Sequence, residues 1–197
     1  MTTTLPTSTP DTGMPPDRSD AALIVRSRTD PEVFSALFDR YFAEIHRYVA
    51  SRLGADHADD VAAEAFLAAF AQRDRYDADR PVARPWLYGI ATNLVHRHRR
   101  TEKRAYRLLM RAPADPGHDG GTDEINDQLT TEQMRPHVAA ALAELAPCDR
   151  DVLLLVAYSE MSYDEVGQAL GVPSGTVGSR LHRARRHLRI ALREGDE

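Results

Sequence analysis

The sequence predicts an all-α protein: two small helical domains joined by a flexible acidic linker. Three observations lead there. Apolar residues recur at three- and four-residue spacing from residue 33 onward, without the sustained alternation that a half-buried strand requires. Pro, Gly, Ser and Asp interrupt that pattern where helices would start and stop. The sign of the charge also reverses abruptly in mid-chain, between a basic helix and a segment with no apolar periodicity at all.

Each element has its own signal. The Thr/Pro/Asp-rich opening, residues 1–20, reads as a disordered tail. Asp30-Pro31 is a helix start with Asp as cap, after which Phe34, Leu37, Phe38, Tyr41, Ile45, Tyr48 and Val49 form one wide apolar stripe that ends at Gly54. A second helix begins near Asp56, with Val61, Ala65, Phe66, Ala69 and Phe70 inward and Asp59, Asp60 and Glu64 towards the other side. A third runs from Pro85 to about Leu109, with Leu87, Ile90, Ala91 and Leu94 facing in. Its opposite stripe is Asn93, Arg97, Arg100 and Arg104, on one side of the helix by their spacing.

From Arg97 to Arg111 there are seven Lys or Arg and one acid, Glu102. From Ala112 to Met134 there is no Lys or Arg, while Asp115, Asp119, Asp123, Glu124, Asp127 and Glu132 accumulate among Pro and Gly. Such a segment cannot bury a core and reads as a linker. The predicted organisation is a tail over 1–20, a domain over 21–111, a linker over 112–130 and a second domain over 131–197.

In the second domain, Met134, Val138, Ala141, Leu142 and Leu145 mark a helix limited by Pro147, and "CDRDVLLLVAYSE" supplies a short, heavily buried one. Ser162 with Glu165 is a capping box, Gly171 closes that helix, and Pro173-Ser174 opens the last. The last helix points Val177, Leu181, Ala184, Leu188 and Ala191 inward. Helix, Gly-containing turn, helix is the spacing of a helix-turn-helix DNA reader.

Composition narrows the function. The net charge of −5 hides the separation of signs and so does not argue against a nucleic-acid partner. Cys148 is the only cysteine, which excludes an internal disulfide and a Cys-cluster zinc site and points to a reducing compartment. The longest purely apolar run, Val152 to Ala157, is far short of a membrane span, and the opening residues lack the features of a secretory signal. A cytoplasmic location follows as the expectation. His96 with His98, and His182 with His187, lack a convergent third ligand and sit among arginines that would repel a cation, so no metal is expected. Without a phosphate-binding Gly loop or a nucleophile elbow, neither catalysis nor a cofactor is expected.

A basic run is by default a solvated face. Here no acid lies between Pro173 and Arg193 to soften the repulsion among the arginines, and the helix starts with Ser174, Gly175, Thr176, Gly178 and Ser179, small residues that admit close backbone approach and can donate to phosphate. Trp86, beside Tyr88, is a core anchor at the edge of the Asn93 face, with stacking on an unpaired base as its other reading.

"DDVAAEAFLAAF", "RPWLYGIATNLVHRHRR" and "LAELAPCDRDVLLLVAYSEMSYDEVGQALGVPSGTVGSRLHRARR" together resemble an RNA polymerase sigma factor of the extracytoplasmic-function (ECF) group, within the sigma-70 family. The resemblance covers residues 21–107 and 131–192. It implies a promoter-specificity subunit that binds core RNA polymerase and recognises the minus-ten and minus-thirty-five elements of promoter DNA. Asp59, Asp60, Val61, Glu64 and Phe66 resemble the helix that holds the clamp coiled coil of the largest polymerase subunit; the flap of the second-largest would take the other domain. Asn93 matches the position that captures a flipped base of the minus-ten element, with Trp86, His96, Arg97, Arg99 and Arg100 around it. Ser174, Thr176, Ser179, Arg180, His182, Arg183 and Arg186 would serve the minus-thirty-five element. Similar proteins are commonly restrained by an anti-sigma factor, which the resemblance adds as a partner. Three positions depart from the family's pattern: Gly178 where a basic residue is common, Ala63 where a Gln is, and Gly89 where an Arg is. The alternative is an autonomous helix-turn-helix regulator binding duplex without polymerase, which explains the last helix but gives no role to Asn93 or to the Asp59/Asp60/Glu64 helix.

Overall fold

The structure, a computed structural model, describes residues 19–109 and 136–194. The linker and most of the tail lie outside the described residues, as does Met134. Eight helices are described: α1 (Asp20–Arg26), α2 (Ser35–Leu53), α3 (Ala58–Ala71), α4 (Arg84–Leu109), α5 (Pro136–Glu144), α6 (Pro147–Ser159), α7 (Tyr163–Leu170) and α8 (Ser174–Glu194). No strand occurs among the described residues.

In the amino-terminal half, α4 packs against both α2 and α3. Leu37, Ile45, Tyr48 and Val49 of α2, Val61, Ala62, Ala65 and Phe66 of α3, and Leu87, Tyr88, Ala91 and Val95 of α4 are buried together. The small Ala62, Ala65 and Ala69 bring α3 close, and the rings of Phe34, Phe38, Phe42, Phe66 and Phe70 interlock around it in edge-on and stacked pairs. Tyr48 and Tyr88 meet edge-on, and the buried Tyr48 hydroxyl shares a 2.8 Å hydrogen bond with Thr92 Oγ1. Burial holds both phenols above their ordinary pKa.

Two helix starts differ from expectation. Asp30 makes no side-chain cap; Pro31–Phe34 forms a 3-10 turn and α2 begins after it, at Ser35. The start near Asp56 is likewise a 3-10 turn over Ala55–His57, with α3 proper beginning at Ala58. Both are short tightened turns of the kind common at helix termini.

Helix α1 lies partly inside the stretch read as tail. Ser19 caps it, its side chain accepting from the Ala22 amide at 3.2 Å. Asp20, only 3% exposed, then accepts from the Ala83 amide at 2.7 Å, from the Tyr41 hydroxyl at 2.6 Å and from the Arg40 guanidinium. One carboxylate therefore ties α1, α2 and the loop entering α4. Its sequence signal, an acid at the edge of a polar tail, is the same as that of a solvated residue.

In the carboxy-terminal half α8 packs on α5, α6 and α7. Val177, Leu181 and Ala184 are its buried side. Pro147 opens α6 at its first turn, and the Ser162/Glu165 capping box forms with both reciprocal bonds. Gly171 takes a left-handed conformation, φ 66°, that ends α7. Gly167 is required by packing: a Cβ there would lie 2.6 Å from the Val172 carbonyl oxygen, so only hydrogen lets the turn fold back under α8.

Replacing Asp20 by Ala strands two buried donors and removes an ion-pair partner of Arg40. It should cost about 3 kcal/mol of unfolding free energy, read from urea denaturation followed by far-UV circular dichroism.

Candidate nucleic-acid and polymerase interface

Helix α4 is two-sided. Its inner stripe is the core just described, and Asn93, Arg97, Arg100 and Arg104 all stand exposed on the other side. Their neighbours treat them differently. Arg100 makes no hydrogen bond or ion pair with any described residue and is available to phosphate, while Arg97 reaches across to the Glu64 carboxylate of α3. Arg99 donates to the Arg52 carbonyl at 2.6 Å, a basic residue satisfying the end of α2. His96 is held by Asp151 of α6, at 3.0 Å. Trp86 is half-buried against Tyr76, ring centroids 4.9 Å apart. Burial raises the Tyr76 phenol to about 12, and its hydroxyl donates to the Arg80 carbonyl.

His98 lies near His57, ring centroids 4.5 Å apart, and both reach Glu102 Oε1, at 3.1 and 3.6 Å. These three are the described residues close enough to share an ion. The third group went unseen in the sequence because His57 comes from the turn before α3. Arg97, Arg99 and Arg100 on the same helix oppose a cation there, and the imidazoles satisfy the one acid of the basic run.

On α3, Asp59, Asp60 and Glu64 face outward as expected, Asp59 carrying a 2.9 Å contact with His46. Val61 and Phe66 do not: each is 4% exposed and belongs to the core, so these two support the helix rather than present a surface. The apolar residue actually offered is Leu67, 69% exposed, one and two turns beyond Ala63 and Asp60 on the same face. Its signal was a large apolar residue off the inward stripe.

Helix α8 turns Gly175, Ser179, His182 and Arg186 directly away from its buried side, with Ser174, Thr176 and Arg180 half-exposed beside them. Arg180, Arg185 and Arg186 pair with no described residue. Arg183 differs: its Nε and Nη2 both donate to the Asp149 carboxylate, at 3.1 and 2.9 Å. Of the arginines expected at the reading positions, this one spends its fork on fixing α8 to α6. Gly178 has space around it, a Cβ meeting only the Tyr163 ring at 3.9 Å.

A pair of small all-helical domains, the second a helix-turn-helix and the first a three-helix packing with a cationic outer face, is the architecture of a sigma-70 type factor. The comparisons agree. The family model for sigma-70 region 2 matches residues 37–105, and that for sigma-70 region 4 matches residues 138–188. The chain is 32% identical over 174 residues to the ECF RNA polymerase sigma factor SigW of Bacillus subtilis, covering 84% of this chain and 91% of the relative. It is 34% identical over 163 residues to the ECF sigma factor SigL of Mycobacterium tuberculosis, covering 81% and 88%. Among solved structures, CnrH in complex with the cytosolic domain of CnrY superposes with a TM-score of 0.64 at 27% identity, over 90% of this chain and 99% of that one. The chain belongs to the ECF RNA polymerase sigma factors, and its role is that of a sigma subunit in transcription initiation. No helix among the described residues is long and apolar enough to cross a membrane.

The bond from Arg183, assisted by its charge, holds the Asp149 carboxyl below the usual carboxylate range despite burial. A depressed folded value means that this pairing stabilises the fold above the ordinary carboxylate pKa, near 3.9, and that the contribution is lost as pH falls through the lower folded value. Arg183→Ala should move the Asp149 midpoint upward in a carboxyl-carbon NMR titration. An unchanged midpoint would show that the pair does not persist in solution.

Proposed function

We propose that this sigma factor reads a two-part promoter with the two outer faces described above, while docked on core RNA polymerase. The observation that carries the reading is the presence, on separate halves, of two helices that are apolar inward and cationic outward, α4 and α8. At the minus-ten element Asn93 takes the flipped base and Arg100 holds the backbone. Arg97, whose partner Glu64 belongs to the polymerase-facing helix, is released to DNA when that helix is engaged. At the minus-thirty-five element Ser179, His182 and Arg186 enter the major groove, Ser174, Thr176 and Arg180 contact phosphate, and Arg183 positions the helix from behind. Asp59, Asp60, Glu64 and Leu67 meet the polymerase clamp coiled coil, the carboxylates against a basic surface. The flap of the second-largest subunit takes the carboxy-terminal half.

Inhibitory partnership belongs to the same proposal. CnrH was solved with the cytosolic domain of CnrY, and a sigma factor RpoE with the anti-sigma factor NepR, so an anti-sigma factor is the expected regulator here too. No catalytic chemistry of the subunit's own enters this reading, and the cytoplasm is where it operates.

The test is reconstituted transcription with core polymerase on a promoter library. Selected templates should be transcribed only with the factor present, and Asn93→Ala should abolish opening of the minus-ten element while leaving polymerase binding intact. Gly178→Arg fits the space available and adds the missing cation. It should sharpen or shift minus-thirty-five preference by about tenfold, the effect of a contact worth 1–3 kcal/mol. Tight free-duplex binding with no dependence on polymerase would overturn the proposal in favour of an autonomous regulator.

A further inference from the structure

The cluster of His57, His98 and Glu102 has no part in reading a promoter or meeting the polymerase. His57 closes the turn before α3, while His98 and Glu102 stand on α4, where a spacing of four residues sets one above the other. His98 Nε2 lies 3.1 Å and His57 Nε2 3.6 Å from the same carboxylate oxygen, Glu102 Oε1. Three potential ligand atoms thus converge within 4.8 Å of one another, from segments about forty residues apart in the chain. The two rings are 4.5 Å apart and tilted by 53°, and all three side chains are partly open to solvent. As a purely polar contact this cluster is poorly composed. One carboxylate oxygen serves two imidazoles, and with both rings protonated two cations would stand beside a single acid.

We infer that His57, His98 and Glu102 form a binding site for a divalent transition ion of the zinc class, which staples the turn entering α3 to α4. Zinc holds imidazole nitrogen and carboxylate oxygen at about 2.0–2.2 Å, so two ligands of a tetrahedral ion stand about 3.3 Å apart. The separations of 3.1 and 3.6 Å bracket that value. Because none of the three side chains is buried, rotation of the rings is enough to complete the approach. Each neutral imidazole then gives a lone pair to the ion, and the carboxylate supplies the charge. Two nitrogens with one oxygen select a transition ion over magnesium or calcium, which take oxygen ligands. Three protein ligands leave the fourth position to water, and with solvent access the ion exchanges.

The arginines of α4 oppose such an ion, and their placement decides by how much. Arg100 is two residues from both His98 and Glu102, hence about 200° around the helix axis and nearly opposite them. Arg97 is engaged by Glu64, and Arg99 donates to the Arg52 carbonyl. At physiological salt the field of such charges is screened over about 8 Å. On the other edge of the cluster the chain around His57 is acidic, with Asp56, Asp59 and Asp60. The repulsion therefore lowers the affinity below that of a buried four-ligand site without abolishing it. The staple has a definite mechanical effect. His57 is the residue before α3, so an ion shared with α4 fixes the first turn of that helix, where Asp59 and Asp60 stand. This site does not rest on the promoter-reading function proposed above.

The experiment uses the full chain without a histidine tag, stripped of metal by a chelator. Zn2+ is titrated by calorimetry, and Co2+ serves as an optical probe. The tightest equivalent of Zn2+ should require the cluster: His57→Ala and His98→Ala should each weaken it more than tenfold with helicity unchanged. Glu102→Gln keeps the size of the side chain and should weaken it likewise, which decides the point should a histidine variant lose helicity. His187→Ala removes an imidazole paired with Glu144 elsewhere and should leave binding as it was. Co2+ should give the visible absorption of a four-coordinate site without a thiolate band, and Mg2+ should give no heat. Zn2+ at about 100 times Kd should raise Tm by roughly 5 °C in the parent and not in the variants. A parent that binds no Zn2+, or binding retained in both His57→Ala and His98→Ala, would overturn the site. Binding that depends on the cluster but leaves the parent's Tm unchanged would overturn the staple.

Discussion

The apolar stripe of α4 is the constraint on which the rest of the molecule hangs. Leu87, Ala91 and Val95 receive α2 and α3, Tyr88 and Thr92 supply the polar centre of that core, and α7 rests on the same helix beside Gly89. A helix carrying that many buried contacts cannot rotate. Its opposite face, from Asn93 to Arg104, is therefore fixed in direction without any dedicated support. The base capture proposed for Asn93 needs such rigidity, because a side chain that reads one nucleotide must not search for it.

Concentrating positive charge on that face has a cost in self-repulsion, and the acids around it show how the fold contains it. Glu64 takes Arg97, Glu102 takes His98 and His57, and Asp151 takes His96. Asp149 does the same for Arg183 on α8. These acids are not interchangeable. Exposed pairs such as Arg97 with Glu64 are weak and screened by salt, and so can be exchanged for phosphate. The buried Asp151 cannot be left unpaired, because burial pushes its carboxyl up and the hydrogen bonds and charges of His96 and Arg52 bring it below the ordinary range. The same kind of residue thus makes a labile contact on one helix and a registering contact on another, and burial alone separates the two.

Periodicity reported the helices well because every long one has a buried and an exposed side, and a 3.6-residue pattern records that directly. Ser162 with Glu165, Gly171 and Pro173-Ser174 marked their boundaries through chemistry confined to a few neighbouring residues. Contacts between distant segments left no such trace. Asp20 looked like part of a polar tail, since the Ala83 amide that requires it is 63 residues away. Val61 and Phe66 were correctly placed on the inward stripe yet also assigned to a partner surface through resemblance, and burial decides between those uses. Arg183 shared the composition of its helix, and only the position of Asp149 distinguishes a packing arginine from a reading one. Gly89 stood out as a departure from the family's pattern, but its meaning needed the Ala169 carbonyl.

That last glycine also sets how closely the two halves approach, because the Ala169 carbonyl leaves no room there for a Cβ. A flexible chain between independent domains would let α8 sample any duplex through Arg180, Arg185 and Arg186, which pair with no described residue, with non-specific affinity set mainly by counterion release. Fixing the halves together does not hide those arginines, but it ties the direction of α8 to that of α4, because α7 packs on both.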